Sequence, residues 1–99
     1  MSADLSRIQK MENALNECNE AISNLKEQLD RLNSLKEKAI CLFSYYGSED
    51  WYKDRESELP EGVRAGVLSE DAVYDAITEL RDAAFQMLEM GTDILKNWI

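Results

Sequence analysis

The sequence predicts an all-α protein. The expected fold is an antiparallel, coiled-coil-like helical hairpin, with a long N-terminal helix, a short connecting helix and a second long helix in one domain over residues 1–99. Three observations predict it. Apolar residues recur at alternating spacings of three and four through both halves of the chain. The four glycines and one proline leave residues 2–46 free of helix breakers. Hydrophobic residues at 44% with charged residues at 31% describe a folded helical chain rather than a disordered one.

The first helix is expected over residues 2–46, capped by Ser2 and ended by Gly47. With Ile8 as heptad position a, the a series is Ile8, Leu15, Ile22 and Leu29, and the d series is Met11, Cys18, Leu25 and Leu32, all apolar. Beyond Leu32 the stripe widens through Leu35, Ile40, Leu42, Phe43 and Tyr46, which implies more than one neighbour. Ser48 followed by Glu49 and Asp50 starts a short helix over 48–57, and Pro60, Gly62 and Gly66 mark a connector over 57–68. Ser69, with Glu70 and Asp71 after it and Leu68 placed to staple onto Val73, opens the last helix, 69–99. Its seam runs Val73, Ile77, Leu80, Ala84, Met87, Ile94 and Trp98, and Gly91 on that seam is where it is expected to bend or break.

Length arithmetic bears on function. A first helix of roughly 65 Å is longer than a second of roughly 45 Å, so the seam over about the first 13 residues of the helix lacks an intrachain partner. Leu5, Ile8, Met11 and Leu15 are therefore the candidate self-association residues, giving a homodimer or small homo-oligomer, with docking of a different protein's helix as the alternative.

The run Tyr45-Tyr46-Gly47-Ser48-Glu49-Asp50-Trp51 and the later run from Gly66 to Asp75, GVLSEDAVYD, resemble a family of small bacterial helical proteins known only as a domain of unknown function. The resemblance spans the chain and implies a helical fold, with no activity attached. The residues themselves are explained by helix stop and start signals. Tyr45, Tyr46, Trp51, Tyr52 and Tyr74 read as an aromatic plug, with Trp51 the first candidate for a partly exposed partner anchor instead.

Charge supplies the functional reading. Twenty acids against 11 bases give a net charge of −9. That excludes direct tracking of a nucleic-acid backbone or an anionic membrane surface and favours a basic protein partner. The asymmetry is internal: residues 1–46 hold seven acids and six bases, net −1, whereas residues 47–99 hold thirteen and five, net −8. On the last helix Asp71, Asp75, Glu79, Asp82, Glu89 and Asp93 follow one another at 4, 4, 3, 7 and 4, one continuous helical stripe opposite the seam. Those six carboxylates and Trp51 are the candidate partner-binding residues; the plainer reading is a solubility face.

The chain has no histidine, which removes the commonest general base and every histidine zinc ligand. Cys18 and Cys41, 23 residues apart on one expected helix, lie roughly 34 Å from each other and cannot pair within it. Both read as inert apolar-face thiols. One enzyme reading is weighed: Glu17 and Glu20 with Glu79 and Asp82 make two carboxylate pairs of the kind that hold Mg²⁺ in all-α nucleotide pyrophosphohydrolases. Both pairs fall on the outward side of the heptads, with no base placed to hold a phosphate. With no charged-then-apolar leader and no apolar run near 18 residues, a cytoplasmic location is expected. The expectation is thus a non-enzymatic interaction module without cofactor or metal that self-associates through its N-terminal heptads. A purely structural oligomer is the alternative, and a phage-type inhibitor of a nucleic-acid-binding host complex is one concrete version.

Overall fold

Asp4, in extended conformation, accepts the Arg7 backbone N–H on its carboxylate at 3.0 Å and starts the first helix, α1, Leu5–Ser34. An acid at this position both fills an orphan donor and faces the positive end of the helix dipole. The computed structural model describes residues 3–99, so the expected cap Ser2 lies outside the described residues. Those residues form helices and irregular segments with no strand, and the fold class is all-α as expected. The chain divides into two units, Met1–Glu37 and Lys38–Ile99.

The continuous helix expected over 2–46 is two helices, α1 and α2 (Lys36–Tyr45), parted at Leu35. The cause is local. The Ser34 hydroxyl donates to the Arg31 carbonyl at 2.6 Å, the acceptor that the Leu35 N–H would use in an unbroken helix. Leu35 bonds to the Leu32 carbonyl instead, at 3.1 Å, a tighter turn. No glycine or proline marks the place. Within α1 no residue is buried, and Ile8, Met11, Leu15, Ile22, Leu25, Leu29 and Leu32 are between 41% and 54% exposed. The exposed seam therefore runs to Leu32, well past the Leu15 limit drawn from helix lengths.

The second unit is built from stop and start signals. Gly47 has φ +77°, the left-handed conformation that ends α2, and the Ser48 N–H bonds to the Tyr45 carbonyl at 2.9 Å. Ser48 then caps α3 (Glu49–Glu56), its hydroxyl accepting the Trp51 N–H at 3.2 Å. The connector turns at Pro60–Val63 and tightens into a 3-10 turn at Gly66–Leu68 that packs on both α3 and α4, Ala72–Asp93. The Ser69 hydroxyl accepts the Ala72 N–H at 3.1 Å, the capping role expected of it.

Trp51 and Val73, each 3% exposed, form the buried centre of this unit, with Val67, Leu68, Ile77 and Leu80 half-buried around them. The N-terminal seam of α4 is thus covered by its own connector. At the other end α4 passes through Gly91 unbroken and gives way at Ile94–Trp98 to a π turn. In that turn residue i+5 lies over residue i, and the Trp98 indole N–H reaches the Asp93 carboxylate at 2.9 Å.

Candidate functional site

The acidic stripe is present as a surface. Asp75, Glu79, Asp82, Glu89 and Asp93 share one side of a regular helix, Asp71 precedes its first turn, and all six are exposed. Arg81, the single base in α4, falls off the stripe. Among the described residues no stripe carboxylate has an ion-pair partner. Asp93 is the member engaged within the chain: hydrogen bonds from the Asn97 amide at 2.6 Å and the Trp98 indole hold its carboxyl below the usual carboxylate range. The other five face solvent.

The stripe begins at a cleft. Tyr46, Gly47, Trp51, Tyr52, Arg55, Glu70, Asp71 and Tyr74 line a shallow depression of about 470 Å³. Trp51 does not serve there as the partly exposed anchor expected of it, because its indole is buried and fully engaged. Its Nε1–H donates to the Val67 carbonyl at 3.0 Å, and the rings of Tyr46 and Tyr52 stand edge-on at centroid distances of 4.9 and 5.0 Å. The Tyr46 hydroxyl donates to the Glu70 carbonyl at 2.8 Å, tying the end of α2 to the start of α4. The aromatic residues therefore close this unit as a plug, and the rings left outside are Tyr52 and Tyr74, 55% and 59% exposed.

One cleft residue was not singled out from sequence. Arg55 lays its guanidinium over the Trp51 ring, 4.6 Å from the centroid, and meets the Glu70 carboxylate at 3.5 Å. The i to i+4 spacing of Trp51 and Arg55 on a short helix is the signal that would have found the stack. Beside the cleft the Tyr45 hydroxyl donates to the Asp54 carboxylate at 2.5 Å. That bond, then burial and the charges of Asp54 and Asp50, push the phenol up to about 12.

Leu5, the outermost self-association candidate, is 76% exposed, and Ile8, Met11 and Leu15 follow it along the open seam. Cys18 and Cys41 are free and exposed rather than covered by apolar neighbours. Glu17 and Glu20 lie on α1 and Glu79 and Asp82 on α4, all exposed. Among the described residues no group of three or more carboxylates and thiols is placed to hold a metal ion. No described helix is long and apolar enough to cross a membrane.

The fold defines a class: a small all-α chain of long amphipathic helices joined by a tightly capped connector. More narrowly, the chain belongs to the family described as Domain of unknown function (DUF4298), whose family model matches residues 8–90. The match runs from the first a residue of α1 to near the end of α4, and the resemblance to a domain of unknown function is borne out. Comparison with curated proteins gives no match.

Proposed function

We propose that the chain is a non-enzymatic protein-interaction module. The acidic side of α4 recognises a basic protein surface, and α1 associates with a further copy of the chain. The observation that carries the first half is the stripe: five exposed carboxylates without ion-pair partners on one side of a single helix. Like charges at three- and four-residue spacing repel by a few tenths of a kcal/mol each, so helix stability alone favours interleaved bases there. Opposite charge on a partner removes that repulsion and speeds encounter at low salt.

The cleft supports the same reading. The Trp51 ring and the Glu70 carboxylate already hold one guanidinium, that of Arg55, in the geometry by which a partner's arginine or lysine would be held. The second half rests on the open heptad seam of α1, because exposed apolar stripes of this length mark association surfaces.

Replacing Asp75, Glu79 and Asp82 together by lysine tests the acidic surface. Proteins that co-purify with the wild type and are released by salt should be lost from the variant, while circular dichroism shows the helices intact. An unchanged set of captured proteins overturns the reading.

A further inference from the structure

We infer that α1 pairs antiparallel with the α1 of a second copy, in one register centred near residue 20. This rests on the self-association part of the proposed function and adds its partner, orientation and contacts. The geometry of α1 points to it. The helix is regular over Leu5–Ser34, and its seam from Ile8 to Leu32 is centred within it. Laid antiparallel on itself, the seam forms the layers Ile8 with Leu32, Met11 with Leu29, Leu15 with Leu25, and Cys18 with Ile22, each occurring twice. A slip of one heptad either way leaves Leu29 and Leu32, or Ile8 and Met11, uncovered. All eight seam residues are covered in this antiparallel register alone.

The flanking positions agree. At position e, Glu12 faces the second copy's Lys26 and Lys26 faces the second copy's Glu12, while Asn19 meets its own counterpart on the two-fold axis. On the other flank Ala21 meets Ala21 and Ala14 meets Gln28, small residues that let the helices approach. A parallel pair also covers the seam and sets Arg7 against Glu12, so the flanks alone do not decide. Charge beyond the helix does. Residues 47–99 carry a net −8 and follow the C-terminal end of α1. A parallel pair attaches two such segments at the same end. An antiparallel pair attaches them at opposite ends of a helix roughly 45 Å long, so that the attachment points are several Debye lengths apart at physiological salt.

Charge reversal and Cys18 together test the orientation. In the full chain carrying Cys41→Ser, Lys26→Glu places like charges on both flanking pairs and should weaken the dimer by roughly tenfold. Adding Glu12→Lys should restore it, although the two residues are too far apart to compensate within one helix. In the parallel pair Lys26 faces Ala21, so Lys26→Glu changes little and Glu12→Lys repels Arg7. Cys18 gives the second readout. The antiparallel register offsets the two Cys18 residues by about 6 Å along the axis, beyond disulfide reach, whereas a parallel pair sets them opposite each other.

A dimer mass by light scattering, weakening and rescue by the two reversals, and no Cys18 disulfide on mild oxidation are the expected results. Ready Cys18 cross-linking or failure of rescue overturns the orientation and leaves self-association standing. A monomer at every concentration, or a mass other than that of two chains, overturns the pairing itself. None of these outcomes bears on the acidic surface, which the lysine variant reads separately.

Discussion

Trp51 carries more of the second unit than any other side chain, so Trp51→Ala should remove the fold of residues 38–99 rather than trim it. Truncating a buried tryptophan costs about 3–5 kcal/mol, and here the indole is 3% exposed, bonded to the Val67 carbonyl and edge-packed by two tyrosines. A unit of this length is stabilised by about 3–9 kcal/mol in all, at roughly 0.05–0.15 kcal/mol per residue. The loss is therefore comparable with everything the unit has. Trp51→Phe keeps a ring between Tyr46 and Tyr52 and loses mainly the N–H donor, so about 1 kcal/mol is expected for the hydrogen bond plus a little for the smaller volume. Urea denaturation followed by circular dichroism, with amide exchange read at Val73 to Ile77, measures both variants. An alanine variant whose stability lies within about 0.5 kcal/mol of the parent would refute the placement of Trp51 at the centre of this unit.

The remaining expectations concern backbone and protons. Gly47→Ala, at φ +77° with open space around the added methyl, should cost about 1–2 kcal/mol from the left-handed backbone alone. Gly91→Ala, inside α4 and equally free of contacts, should stabilise by about 0.5–1 kcal/mol, both read by thermal melts. Tyr45 holds its proton above the ordinary 10.0, so its contribution is complete below pH 10.0 and is lost as pH rises from there through about 12. In an ultraviolet titration one of the four tyrosines should ionise last, and Asp54→Asn should bring it back toward the others; a titration unaltered by that substitution would remove Asp54 as the cause.

Much of the fold was legible because helices announce their ends locally. Ser48, Gly47 and Ser69 cap or terminate as their side chains and backbone freedom require, and the three-four periodicity marks the apolar sides. The break at Leu35 was not legible, since it comes from a serine hydroxyl competing for one carbonyl in a run that otherwise reads as uninterrupted helix. Residue type left open whether the helix bends at Gly91, and α4 runs through it: glycine lowers helix propensity, but one residue does not end a helix that continues favourably on both sides. The acidic stripe followed from spacing alone. Trp51 takes the place in the aromatic plug that residue type suggests rather than that of the exposed anchor, and its partner, the Val67 carbonyl, is a backbone group with no signature in residue type.

The absence of any buried side chain in α1 has a thermodynamic consequence for the cell. Thirty residues of helix held only by propensity and an aspartate cap are marginally stable in water. Where α1 pairs as proposed, the order of this segment is set by mass action, through the concentration of the second copy that covers its seam. The second unit, closed around Trp51 and Val73, has no such dependence. On the proposed pairing, one chain combines a concentration-independent part with a part whose helicity follows abundance, so that synthesis rate and dilution act on the N-terminal third as directly as sequence does.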